Sequence, residues 1–108
     1  MKVSVVIAAW DERSNVEALT RRLSAVLDGL GASWEIVWVV AGSDGTREVL
    51  EGLAGEFQGL RVLCESEPGG LGAAFRRGFE ATARDADVVV TMDADLNHQP
   101  EEIPRLLA

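Results

Sequence analysis

Apolar positions fall along the chain in two patterns, short continuous runs and stripes spaced by three and four. Val3-Ser4-Val5-Val6-Ile7-Ala8-Ala9 is a nearly continuous apolar run and predicts a central strand over residues 2–9. Trp10-Asp11-Glu12-Arg13 follows as its polar loop. Ser14 with Glu17 three positions later forms a capping-box pattern, so a helix is expected to start there. Val16, Leu19, Leu23, Val26, Leu27 and Leu30 recur at spacings of three and four and give one apolar stripe, which Gly29 and Gly31 end. Residues 34–40 predict a second strand, with Ala41-Gly42-Ser43-Asp44-Gly45 as the loop behind it. Asp44 or Thr46 is the expected cap of a helix running to about Phe57, with Val49, Leu50, Leu53 and Phe57 on its buried side.

The second half repeats the theme. Leu60–Cys64 reads as a short third strand, with Cys64 as a small core residue, and residues 65–70 as a loop of turn formers. A helix is predicted from Leu71 to about Ala83, with Leu71, Ala74, Phe75 and Phe79 on its apolar side. Val88-Val89-Val90 belongs to a fourth strand over 87–92, and this β-branched run suits burial on both faces. Pro100, Glu101 and Glu102 open a last helix over 103–108. Strands alternating with helices imply a parallel sheet with right-handed crossovers. Such a sheet collects Trp10 to Glu12, Gly42 to Thr46 and Asp93 to Asn97 on one crevice, at the strands' C-terminal ends, where open α/β sheets bind ligands.

Asp93 and Asp95 leave the fourth strand one residue apart. Both carboxylates can face one hard cation, and oxygen ligands of this kind favour Mg2+ or Mn2+. The plainer alternative is a solvated acidic loop. Composition narrows the field further. With 108 residues, 47% hydrophobic and 26% charged, the chain suits one soluble α/β domain. A formal net charge of -8 argues against a nucleic-acid partner. The single cysteine excludes an internal disulfide and fits a reducing compartment, so a cytoplasmic location is expected. No stretch approaches the roughly 20 apolar residues that span a bilayer, so no membrane segment is expected in this chain.

Four segments, spread over the chain in order, resemble the family 2 glycosyltransferases with a GT-A fold. Within that family the likeness is greatest to the polyprenyl-phosphate (dolichol-phosphate) mannosyl- or glucosyltransferases. The segments are Val5-Val6-Ile7-Ala8-Ala9-Trp10-Asp11-Glu12, Gly42-Ser43-Asp44-Gly45-Thr46, Gly70-Leu71-Gly72-Ala73-Ala74, and Met92-Asp93-Ala94-Asp95-Leu96-Asn97-His98-Gln99-Pro100-Glu101-Glu102-Ile103-Pro104. The resemblance implies a Rossmann-like parallel sheet with helices on both faces, the nucleotide-binding half of that fold. It makes residues 1–108 one nucleotide-sugar-binding domain, truncated at its C-terminus, with the acceptor-binding half absent. It places Ala8, Trp10 and Glu12 in the nucleotide-binding stretch, Asp44 in a loop that holds base or ribose, and Gly72 in a glycine-rich turn beside the donor. Asp93 and Asp95 match the metal-binding DXD motif, with Asp95 as the catalytic carboxylate and Asn97 assisting the metal. Implied partners are a nucleotide-diphosphate sugar, GDP-mannose or UDP-glucose, and a polyprenyl-phosphate acceptor at the cytoplasmic face of a membrane. Truncation of the sheet would leave an edge uncovered, which favours a homodimer. The chain departs from the family at Ala8, where Pro is usual, at Asp11, where Asn is usual, and at Val39-Val40-Ala41, where one or two Asp residues are usual.

Each residue also has a structural reading. Glu12 can complement a helix dipole, Trp10 can simply pack, and Asp44 can cap a helix. His98 reads as a loop residue, Arg76 and Arg77 as a solvated face, and Trp34 and Trp38 as core or interface. Three functions remain in play: inverting, metal-dependent hexosyl transfer; a catalytically incomplete nucleotide-sugar-binding or interaction module; and a flavodoxin-like or response-regulator-like domain.

Overall fold

A computed structural model describes residues 1–10, 13–41, 45–65, 71–82, 84–93, 101 and 103, leaving aside the side chains of Leu71 and Asp93. The elements run β1 (Lys2–Trp10), α1 (Arg13–Gly29), β2 (Ser33–Ala41), α2 (Thr46–Glu56), β3 (Leu60–Cys64), α3 (Leu71–Ala81) and β4 (Val88–Asp93). The four described strands are parallel, in the order β3-β2-β1-β4, so the fold is the parallel α/β arrangement expected from the alternation and the Rossmann-like one implied by the resemblance.

The two faces of the sheet differ. Val3, Val5, Ile7 and Ala9 of β1 point with Ile36, Trp38 and Val40 of β2 into the main core, where α1 contributes Val16, Leu19, Leu23 and Leu27 and α2 contributes Leu50 and Leu53. Ile103, 1% exposed, joins the same core. Trp38 is fully buried there and its indole Nε1 donates to Thr20 Oγ1 of α1 at 3.2 Å, so the one polar atom of the largest core side chain is satisfied. α3 covers the opposite face, where Gly78 sits on Val6 and Val39.

Several expectations need correction. α1 begins at Arg13, so Ser14 lies inside the helix instead of capping it, and Glu17 is engaged by Arg21 Nε at 3.0 Å. α2 is capped by Gly45 in the left-handed region (φ 98), with no side-chain cap bond; Thr46 is its first residue and Asp44 lies outside the described residues. Cys64 is exposed, at the last position of β3, an edge strand of the described sheet. β4 is also at an edge of the described sheet, and α3 packs over β1 and β2, so Val89 and Thr91 are exposed despite their apolar run. Phe79 is 46% exposed, since α3 turns Gly78, one position earlier, toward the strands. Helix α3 ends at Ala81 and the last helix, apart from Glu101 and Ile103, lies outside the described residues. Among the described residues no helix is long and apolar enough to cross a membrane.

Candidate functional site

Strand order locates the site. The chain steps from β1 to β2 to β3 in one direction, then returns across the sheet to place β4 on the free side of β1. The order therefore reverses between β1 and β4, and in open α/β sheets the C-terminal ends of the strands at such a reversal are where ligands bind. Register aligns these ends closely. Ala8 is the Cα partner of Asp93 on one side and of Val39 on the other. Asp93, the first residue of the Asp-Ala-Asp motif, thus ends β4 directly beside the segment 8–10 of β1.

Of the residues singled out from the sequence, the structure brings Ala8, Trp10 and the backbone of Asp93 to this switch point. Trp10, the last residue of β1, is 48% exposed, so its ring is not a core element. Gly72 lies in the first turn of α3, which also starts at this edge because it follows the C-terminal end of β3. Glu12, Asp44, Asp95, Asn97 and His98 lie outside the described residues, as does Gly70. Among the described residues no group of three or more His, Cys, Asp or Glu side chains is placed to hold a metal ion. The end of β2 carries Val39, Val40 and Ala41, all buried, so its described residues supply no acid there.

Three residues at this edge, Arg13, Gly45 and Arg47, were given no individual role from the sequence. Gly45 holds a positive φ, and any side chain there would meet Arg13 Cδ at 3.3 Å and Nε at 3.4 Å. Arg13, first in α1, therefore packs against Gly45 and brings the starts of α1 and α2 together. The Asp44-Gly45 pair was the available signal, because Gly after Asp marks turns needing φ > 0. Arg47, in the first turn of α2, has its guanidinium held above its ordinary range, first by a 2.5 Å hydrogen bond to Glu51 and then by Cys64 at the end of β3. Cationic groups at the starts of α1 and α2 thus face the same edge as the helix N-termini, in a chain that is acidic overall.

Gly72 is glycine without a packing reason in the described structure. Among the described residues nothing lies within 4 Å of where its Cβ would be. Gly in a helix lowers stability relative to Ala, and among the described residues the absent side chain leaves open space beside the first turn of α3.

Comparison with known proteins agrees with this picture. Residues 4–108 match the family model described as Glycosyl transferase family 2. The chain is 42% identical over 108 residues to a dolichol-phosphate mannosyltransferase of Pyrococcus furiosus, covering 99% of this chain and 29% of that protein. It is 40% identical over 107 residues to an undecaprenyl-phosphate 4-deoxy-4-formamido-L-arabinose transferase of Aeromonas hydrophila, covering 97% and 32%. The protein of that description from Salmonella paratyphi A is 37% identical over 110 residues, covering 99% and 33%. The chain spans about a third of the length of these relatives.

Proposed function

The chain belongs to glycosyl transferase family 2, and from that premise we propose that it is the donor-binding unit of a sugar transferase, taking a hexose from a nucleotide-diphosphate sugar to a polyprenyl phosphate. The observation that carries this reading is the pairing of Ala8 with Asp93 where the strand order reverses. The acceptor is suggested by the relatives, whose names specify dolichol phosphate and undecaprenyl phosphate.

Each residue then has a role. Ala8, Trp10 and Glu12 line the nucleotide on the β1 side, with Trp10 offering an exposed ring to the base or sugar. Asp44 holds the base or ribose, and the bare backbone at Gly72 lets the diphosphate approach α3. Asp93 and Asp95, with Asn97, form an all-oxygen donor set that suits Mg2+ or Mn2+. A bound cation would act as a Lewis acid that neutralises charge growing on the departing diphosphate. A phosphate acceptor is already ionised near neutral pH, so no strong general base is required, and transfer proceeds with inversion by a single displacement. Such an acceptor places the working protein at a membrane face.

Calorimetric titration of the chain with GDP-mannose and UDP-glucose, with Mn2+ and with EDTA, tests this. Metal-dependent binding of one of them, lost in Asp93→Asn, is expected; unchanged binding by that variant would sink the metal assignment. The acid-free end of β2 favours a second reading, a module that binds nucleotide sugar without turning it over. Transfer of sugar by the chain itself would exclude it.

A further inference from the structure

Helix α3 links the candidate site to the far edge of the sheet, starting at the strands' C-terminal ends and finishing at their N-terminal ends. Its seat is narrow. Among its described residues only Gly78 is buried, resting on Val6 and Val39. A helix seated on a glycine has little interdigitation among its described side chains to fix its tilt, so polar contacts at its ends can set it.

The far end is held by a polar chain across three strands. Arg61 of β3 donates Nη1 to the carbonyl of Ala81, the last residue of α3. The same Nη1 lies 3.6 Å from Glu35 Oε1 of β2, and Glu35 Oε2 accepts a 2.5 Å hydrogen bond from Ser4 Oγ of β1. Glu35 is 6% exposed in the second strand from the edge, where an unpaired carboxylate would be costly. Its oxygens are divided between a hydroxyl that fixes its rotamer and a guanidinium that it aims at the helix. Nearer the site, Arg77 Nε of α3 pairs with Glu65 Oε1 at 3.2 Å, just beyond β3.

We propose that Glu35 and Arg61 are positioning residues for the donor site: by anchoring the C-terminal end of α3 they set its tilt on the Gly78 seat. That tilt fixes where the first turn, Leu71-Gly72-Ala73, stands relative to the ends of β1 and β4. The consequence for ligand binding rests on the donor-site reading above, whereas the mechanical coupling does not.

The test uses Arg61→Met, which keeps the aliphatic stem, Glu35→Gln, which keeps the shape, and Arg61→Lys as the conservative rescue. Leu53→Ala, in α2 on the opposite face, serves as a control that destabilises without touching α3. The readouts are amide NMR shifts and hydrogen exchange at Gly72, Ala73 and Ala74, with the affinity for GDP and UDP in Mn2+. In Arg61→Met and Glu35→Gln these amides are expected to shift, and nucleotide affinity to fall about tenfold, as when a binding loop moves by a fraction of an ångström. Arg61→Lys should recover most of both, and Leu53→Ala should change neither. Unmoved Gly72–Ala74 amides in Arg61→Met, or equal effects in Leu53→Ala, would reduce the cluster to a stabiliser and overturn the proposal. If the native chain binds neither nucleotide, the donor-site reading fails, and the amide signals alone decide the coupling.

Discussion

A side chain at Gly78 would fall well inside van der Waals contact with Val6 Cγ1 and 3.3 Å from Val39 Cγ2. Replacing a helical glycine by alanine ordinarily stabilises by reducing the freedom of the unfolded chain. At Gly78 the sign reverses, because the methyl group must lift α3 off β1 and β2. Gly78→Ala is expected to cost about 1–3 kcal/mol, the range for overpacking a close-packed core. Urea denaturation checks it, and a stability equal to or above the native chain would show that α3 does not sit this low.

Gly72 predicts the opposite. It is in the same helix, but no described neighbour lies within 4 Å of a Cβ there. Gly72→Ala should stabilise by about 0.5–1 kcal/mol through helix propensity alone. If the open space admits the donor diphosphate, the same substitution weakens nucleotide-sugar binding. A variant that melts higher and binds worse would separate a ligand-imposed glycine from a fold-imposed one; higher stability with unchanged binding would remove Gly72 from the site.

The buried indole offers a third check. Trp38→Phe deletes the donor to Thr20 Oγ1 and leaves a void beside α1. About 2–4 kcal/mol is expected from the lost hydrogen bond and the cavity together. Adding Thr20→Val should cost less in the Trp38→Phe background than in the native chain, since the two positions share one interaction.

Much of the architecture was legible because the apolar runs of the strands and the three-and-four spacing of the helices are clean. The stripe at Val16, Leu19, Leu23 and Leu27 is fully buried in α1, and Leu60–Cys64 is β3 as read. What alternation cannot encode is which strand lies beside which. The order β3-β2-β1-β4 puts Cys64 and Val89 at edges, so apolar residues that read as core are exposed. Phe79 misled for a related reason, since a helix approaching on glycine turns a face that hydrophobicity does not mark. Glu35 carried its own signal, a lone acid in the apolar run Trp34-Glu35-Ile36, but its partners Ser4 and Arg61 are distant in sequence. At the site, the Asp-Ala-Asp motif was visible as residues, whereas its setting beside Ala8 depended on strand order.

Surface charge gives the last prediction, through the link between α1 and α2. Arg21 donates from Nη1 and Nη2 to Glu56 at 2.9 and 3.0 Å, and its guanidinium also lies 5.7 Å over the Phe57 ring. This hydrogen bonding holds the Glu56 carboxyl below its ordinary range. Arg22 does the same to Glu101. A carboxyl whose pKa is lower folded than unfolded stabilises at pH values above the unfolded pKa, and that contribution disappears as pH falls through the folded value. Glu56→Gln should therefore melt below the native chain at neutral pH, and the two curves should converge on acidification below about pH 4, the usual carboxylate range. Both groups are exposed, so the gap should be small and shrink further in high salt. A gap that persists unchanged at acidic pH would assign the effect of the substitution to packing against Arg21 and not to charge.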